Sequence, residues 1–172
     1  MSSKIKIGIS SCLLGNNVRY DGGHKLAPYL KEALGQFVEW VPVCPEVESG
    51  LPVPREAMRL IGSLGTIHLL TIETGVDHTT RLITWARNKA ALLEQEQLSG
   101  FIFKARSPSC GIDDSEIFQP SGHVAAQGPG IFAKVFREHF PAIPVEDENR
   151  LQDPAVRKNF FERASLYARK HV

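Results

Sequence analysis

The sequence predicts an α/β fold with a single open sheet, three-layered, mostly parallel and Rossmann-like. Three observations predict it. Short segments rich in Ile, Val and Phe alternate with longer segments whose apolar residues recur at helical spacing. Gly and Pro separate the two kinds of segment. The length of 172 residues also suits one domain with a substantial core.

Five segments are predicted to be strands of this sheet. The first is Ile5–Ser10, in which Ile5, Ile7 and Ile9 alternate with polar or small residues. The others lie at 37–43, 67–72, 101–104 and 143–145. Because helical segments lie between most of these strands, we expect neighbouring strands to run parallel.

Four helices are predicted between and after the strands. They lie at 25–34, from 77–80 to about 97, at 131–139, and from Asp153-Pro154 towards the C-terminus. Asp153 before Pro154 is typical of a helix start, with an N-cap followed by proline at the first helical position. We expect residues 1–150 to form the α/β domain and residues 151–172 to form a C-terminal helix packed on it.

The remaining segments are rich in Gly and Pro and are predicted to be loops. They comprise residues 11–23, 45–65, 107–116 and 122–130. Within the second of them, a short helical turn is predicted at Glu56–Ile61.

Composition excludes several classes of function. The formal net charge of +1 gives no basic surface for a nucleic acid polymer or a membrane. The N-terminus lacks a signal-peptide pattern, no segment is apolar enough to span a bilayer, and the odd count of three cysteines argues against a secreted disulfide framework. We therefore expect a cytoplasmic protein, monomer or weak dimer, whose partner is a small molecule.

The three cysteines each follow a predicted strand. Cys12 lies two residues beyond the first strand, Cys44 directly follows the second, and Cys110 lies in the loop after strand 101–104. Since the carboxyl ends of parallel strands meet at one edge of a sheet, the three thiols are expected to share a site. The spacing of the cysteines does not distinguish three kinds of site: a zinc site, a cubane iron–sulfur cluster and a lone catalytic Cys110. The alternative is that all three are buried thiols without a function.

Four stretches carry a resemblance to a known family. In order they are SCLLGNNVRYDGGHK, CPEVESGLPVPRE, KARSPSCG and GPGIFAKVF. Together they resemble the thiouracil desulfurase (desulfidase) family over about residues 5 to 146. The sequence departs from the family pattern at Ser49-Gly50, where the family has two glycines, and after Arg55, where the family is richer in proline. Both departures bear on the shape of one loop, and hence on substrate preference.

The resemblance implies a cofactor, a reaction and a substrate class. The family carries a [4Fe–4S] cluster on three cysteines, with one iron open to other ligands, and Cys12, Cys44 and Cys110 would be the ligands here. Its members remove sulfur from thiolated uracils, such as thiouracil and 4-thiouridine monophosphate, and release sulfide. A zinc hydrolase with the same three ligands, or an iron–sulfur nucleotide-binding or sensing protein without turnover, would be the alternatives.

The resemblance also points to residues around the cluster. Glu46, two residues beyond Cys44, is the expected general acid and base, and Ser107 would orient water or the oxygen of the adduct. The expected substrate-binding residues comprise two cations for a phosphate, an aromatic ring, two glycines, a further cation and two serines: Arg19, Lys25, Tyr20, Gly22, Gly23, Arg55, Ser11 and Ser109. For each of them an ordinary loop or surface role is the alternative.

Overall fold

A computed structural model describes residues 3–63 and 65–171. The α/β class with a mostly parallel sheet is confirmed. In the described ranges the strands are β1 (Ile5–Ser10), β2 (Val38–Val43), β3 (Met58–Ser63), β4 (Thr66–Thr71), β5 (Gly100–Phe103), β6 (Ser115–Phe118), β7 (Val124–Gly128) and β8 (Val145–Asp147). The α-helices are α1 (Pro28–Leu34), α2 (Pro45–Glu48), α3 (Thr79–Glu96), α4 (Ile131–His139) and α5 (Pro154–His171), and short 3₁₀ helices lie at Ser11–Leu14 and Arg150–Gln152.

The main sheet contains four parallel strands in the order β2-β1-β5-β8. Successive residues of β5 face opposite sides of this sheet. Ile102 packs with Ile7 and Ile9 of β1 against helices α1 and α5. Phe101 and Phe103 pack on the other side against α3 and α4. This alternation produces the three layers, helices over and under one sheet.

An aromatic cluster fills the layer between the main sheet and α4. Phe101 and Phe103 stack with ring centroids 4.3 Å apart, and Phe132 and Phe136 of α4 pack on both in tilted or edge-on orientations. All four side chains are buried. Such rings each bury a large apolar area, so this cluster fixes α4 firmly against β5.

A second, mixed sheet was not expected from the sequence. Its strand order is β4-β3-β6-β7, with β3 and β6 parallel and the other two pairs antiparallel. The helical turn predicted at Glu56–Ile61 is wrong, because Met58–Ser63 is a strand paired on both sides. Leu60, Leu69 and Ile117 of this sheet are buried with residues of α3 and α4. Pairing with strands elsewhere in the sheet thus determined the secondary structure of a segment whose local sequence pattern was ambiguous.

The four predicted helices are present, with small differences at their ends. The segment 67–72, expected in the single sheet, is strand β4 of the second sheet instead, and the expected loop 45–65 contains helix α2 and strand β3. The last strand begins at Val145 rather than at Ile143. Two segments expected to be loops contain strands β6 and β7. No helix in the described part of the chain combines the length and the hydropathy needed to cross a membrane.

Candidate functional site

The three cysteines line one cavity of about 280 Å³ at the carboxyl edge of the main sheet. Cys12 lies on the 3₁₀ helix after β1, Cys44 lies between β2 and α2, and Cys110 lies in the loop between β5 and β6. None of the three forms a disulfide, and Cys12 and Cys110 are buried. β2, β1 and β5 are adjacent and parallel, which brings three positions far apart in sequence to one edge.

The loop that carries Cys110, residues 104–114, is here called the cysteine loop. Its turn is held by the Ser107 hydroxyl, whose Oγ accepts hydrogen bonds from the N–H groups of Ser109 (3.2 Å) and Cys110 (3.0 Å). Such side-chain-to-backbone bonds are the reason that serine is common in turns. The main chain of Cys110 is therefore held in place from within its own loop.

Helix α4 holds the cysteine loop from outside. The N–H of Phe132 donates to the Ser109 carbonyl at 2.9 Å, and the N–H of Gly130 donates to the Gly111 carbonyl at 2.8 Å. N–H groups of a first helical turn lack partners within the helix, and here loop carbonyls supply them. The GPG stretch before α4 thus serves to dock the helix on the loop.

Cys44 is placed by the start of α2. Pro45 occupies the first helical position, and the Glu48 carboxylate accepts a hydrogen bond from the Cys44 N–H at 2.7 Å. The Cys44 Sγ lies 4.0 Å from the carbonyl oxygen of Val18. The thiol therefore sits between α2 and the loop that follows the first 3₁₀ helix.

Burial raises the pKa of all three thiols. It raises the pKa of Cys12 to about 11, against the opposing effects of the Lys104 and Arg19 charges. It raises the pKa of Cys110 to about 12, and it also raises the pKa of Cys44. The thiols are therefore protonated when no cation is present, and a bound metal group is what would favour the thiolates.

The donor set of this cavity consists of three cysteine thiols. Among residues 3–63 and 65–171, no three His, Cys, Asp or Glu side chains are grouped so that they could hold one metal ion. Three thiolates on one zinc would each have to lie about 2.3 Å from it. In a cluster each thiolate bonds a different iron, so the sulfurs of three cysteines around one cavity can lie farther apart. Three cysteine thiols around one cavity are therefore donors of the kind that an iron–sulfur cluster takes.

Glu46 lies at the same cavity with its two carboxylate oxygens in different contacts. Oε2 accepts a hydrogen bond from Arg55 Nε at 2.8 Å and another from Arg55 Nη2. Oε1 accepts a hydrogen bond from the Ser109 hydroxyl at 3.3 Å. The side chains of Glu46 and Arg55 are only 14% and 7% exposed, so the pair is largely shielded from water.

Ser109 connects Glu46 to the rest of the cysteine loop. Its Oγ lies 3.1 Å from Ser107 Oγ and 3.8 Å from Cys110 Sγ. Since Ser107 Oγ already accepts two backbone N–H groups, its own hydrogen is available to donate. The hydroxyls therefore form a chain from Ser107 through Ser109 to Glu46.

Most of the residues expected to bind substrate line this cavity, and two do not. The cavity is lined by Ser11, Arg19, Tyr20, Lys25, Arg55, Ser107 and Ser109 together with the cysteines. Gly22 and Gly23 are outside the lining and instead shape the neighbouring turn. Gly22 has a φ of 80° and donates its N–H to the Arg19 carbonyl at 2.9 Å. The turn that contains Gly22 and Gly23 is thus hydrogen-bonded to Arg19, which does line the cavity.

Lys104 lines the cavity and was missed by the sequence analysis. Its Nζ lies 2.6 Å from Oε1 of Glu148 and 2.8 Å from the Ala105 carbonyl oxygen. Glu148 Oε2 in turn accepts a hydrogen bond from the Ala105 N–H at 2.7 Å. The signal for Lys104 was present in the stretch KARSPSCG, because this lysine is the first residue after a strand that ends at the site.

Comparison with known proteins identifies the family. The family described as 2-thiouracil desulfurase matches residues 7–148. The Bacillus subtilis (strain 168) protein YbbK, described as uncharacterized, is 32% identical over 109 residues, which cover 60% of this chain and 71% of YbbK. The solved structure of the [4Fe-4S]-dependent thiouracil desulfidase TudS is similar with a TM-score of 0.70 at 33% identity, covering 91% of this chain and 99% of TudS. On this match over most of its length, the chain belongs to the 2-thiouracil desulfurase family.

Proposed function

We propose that the protein is an iron–sulfur-dependent desulfidase that converts the C=S group of thiolated uracils to C=O and releases sulfide. The observation that carries this proposal is the arrangement of three free cysteines around one cavity that Glu46 also lines. The family match and the similarity to TudS support it. Cys12, Cys44 and Cys110 would hold a [4Fe–4S] cluster with one iron free of protein ligands.

When bound, the cluster supplies an open iron, a Lewis acid that polarises the soft thiocarbonyl sulfur of the substrate. The chain supplies the proton transfers. Glu46 Oε1 takes a proton from the attacking water, and the Ser107–Ser109 chain orients that water and the developing oxygen. A C–O bond forms, the C–S bond breaks and sulfur leaves as hydrosulfide. Water provides the oxygen and both protons, so the reaction needs no oxidant or reductant.

Substrate recognition falls to the cationic rim of the cavity. Arg19 and Lys25 are lining residues whose charges favour an anionic substituent such as the phosphate of 4-thiouridine monophosphate. Tyr20 is 42% exposed at the rim and can stack on a pyrimidine ring. We therefore infer that phosphorylated thiouridine is bound more tightly than the free thiolated base.

The cellular setting is inferred from the cysteines. Three free thiols at one site are maintained in a reducing compartment, so we infer that the protein acts in the cytoplasm. The substrate is a small molecule, and the protein acts as a monomer or a weak dimer.

An anaerobic reconstitution tests the proposal. The protein is loaded with iron and sulfide, iron and labile sulfide are counted, and the thiocarbonyl absorbance of thiouracil and of 4-thiouridine monophosphate is followed with sulfide release. Glu46→Gln should keep the cluster and lose turnover, by about 10²- to 10⁴-fold. Cys110→Ala should lose both. A fully loaded protein that turns over no thiolated pyrimidine would refute the desulfidase and favour a binding or sensing role.

A further inference from the structure

The sequence suggested that Arg55 binds an anion of the substrate. In the structure its guanidinium group contacts protein acceptors instead. Each of its three guanidinium nitrogens donates to a protein acceptor. Nε and Nη2 donate to Glu46 Oε2, Nη1 donates to the Pro52 carbonyl at 3.2 Å, and Nη2 also donates to the Val18 carbonyl at 2.9 Å. With its charge neutralised by Glu46 and its side chain 7% exposed, Arg55 has little capacity left for a phosphate.

The two carboxylate oxygens of Glu46 have different hydrogen-bond partners. Both arginine donors are on Oε2, whereas Oε1 is directed to Ser109 in the cysteine loop. A free carboxylate would rotate between these positions. Two donors from one planar, rigid guanidinium remove that freedom, and a lysine ammonium could not reproduce this geometry.

Arg55 also joins the segments that surround Glu46. Its N–H donates to the Tyr20 carbonyl at 2.8 Å, and its side chain reaches Val18 in the same loop. It therefore connects the loop that carries Arg19 and Tyr20 to the start of α2. One residue, through its side chain and its backbone N–H, thus contacts both Glu46 and the loop that carries Arg19 and Tyr20.

We propose that Arg55 is a positioning residue for Glu46: it holds one carboxylate oxygen so that the other faces Ser109 and the cavity, and it does not bind the substrate's anionic group. This inference rests on the proposed role of Glu46 in desulfuration. A positioning residue acts on turnover whatever the substrate carries. An anion-binding residue acts on the affinity for phosphorylated substrates alone.

The test compares Arg55→Met and Arg55→Lys with the wild type on thiouracil and on 4-thiouridine monophosphate, at equal cluster content. We expect kcat to fall by roughly 10²-fold in Arg55→Met for both substrates, since small misplacements of a catalytic group cost about that much. KM should change by less than about threefold, and Arg55→Lys should recover only a small part of kcat. Arg81→Met is the matched control, because Arg81 is exposed and donates to the Ser49 carbonyl nearby.

A rise in KM confined to 4-thiouridine monophosphate, with kcat unchanged, would overturn the inference and return Arg55 to anion binding. An unchanged kcat for both substrates would also overturn it. Turnover by the loaded wild-type protein tests the desulfidase function itself, and the Arg55 variants test the positioning role. A failure of the first hypothesis can therefore be distinguished from a failure of the second. Arg55→Lys keeps the charge and most of the side-chain volume, and it serves if Arg55→Met does not fold.

A second measurement does not use the loaded enzyme. The free energy of unfolding of the apoprotein is determined for Arg55→Met, Glu46→Gln and the double variant. If the two side chains act as one unit, their effects are non-additive and the double variant is little less stable than the worse single variant. Additive effects would show that Arg55 does not act through Glu46.

Discussion

Gly130 packs directly against the backbone of Ser109. A Cβ at position 130 would lie 2.5 Å from the Ser109 carbonyl carbon and 2.8 Å from the Cys110 nitrogen, closer than any side chain tolerates. Because the neighbouring atoms belong to the backbone, they can yield only if the whole cysteine loop moves. The absence of a side chain at Gly130 thus sets the distance between helix α4 and a candidate cluster ligand.

We expect Gly130→Ala to displace the cysteine loop and to lower the iron content after reconstitution to well under half of the wild-type value. The apoprotein should also lose about 1–3 kcal/mol of its free energy of unfolding, as overpacked sites do. Gly65→Ala is the control, since nothing lies within 4 Å of a Cβ at Gly65. Iron analysis and urea unfolding of both variants measure these effects, and a fully loaded Gly130→Ala protein would contradict the prediction.

Ser109 is expected to matter through its hydroxyl rather than through its backbone. Ser109→Ala removes the link between Ser107 and Glu46 but keeps the main-chain bonds that hold the loop to α4. We expect kcat to fall about tenfold with the cluster retained, because general acid–base catalysis depends on an aligned proton path. Ser121→Ala is the control, because Ser121 is exposed and is not among the residues that line the cavity. Equal kcat for the two variants would exclude the hydroxyl chain.

Lys104 and Glu148 should behave as a buried pair. The two side chains are 19% and 10% exposed, so among the described residues Lys104→Met leaves a shielded carboxylate that accepts a hydrogen bond from the Ala105 N–H alone. We expect a loss of about 2 kcal/mol in the free energy of unfolding of the apoprotein. The double variant Lys104→Met with Glu148→Gln should be more stable than Lys104→Met alone.

The control for this pair is an exposed one. Lys158 and Glu162 lie 3.9 Å apart with side chains 77% and 63% exposed, so Lys158→Met should cost at most a few tenths of a kcal/mol. Urea titrations of the four proteins make the comparison. A cost for Lys104→Met no larger than for Lys158→Met would show that the Lys104 pair is not buried in solution.

The cationic rim is expected to discriminate between substrates. Arg19→Gln with Lys25→Gln removes two lining charges but leaves Glu46 and the cysteines in place. KM for 4-thiouridine monophosphate should rise about tenfold, which corresponds to about 1.4 kcal/mol, whereas KM for thiouracil should change little. Steady-state kinetics on both substrates measure the difference. An equal rise for both substrates would mean that these side chains hold the pyrimidine or the loop, not a phosphate.

Much of the main sheet could be predicted from the sequence because its signals are local. Alternating Ile5, Ile7 and Ile9 predicted β1, and the pair Asp153-Pro154 predicted the start of α5. The placement of each cysteine after a strand predicted a shared edge, since parallel strands of one sheet end together. The second sheet was not predictable in this way. Met58–Ser63 has no clear local pattern and becomes a strand by pairing with β4 and β6 on either side.

The sequence by itself determined the α/β class, the three thiols and the carboxylate next to Cys44, because residue type and strand order suffice for these. Only the tertiary structure decided what the charged side chains do. Arg55 is matched to Glu46 and Lys104 to Glu148 because partners 9 and 44 positions apart in sequence meet in the folded chain. A charge that is held in a buried ion pair has little capacity left for a ligand, and such pairs depend on contacts between residues far apart in the sequence.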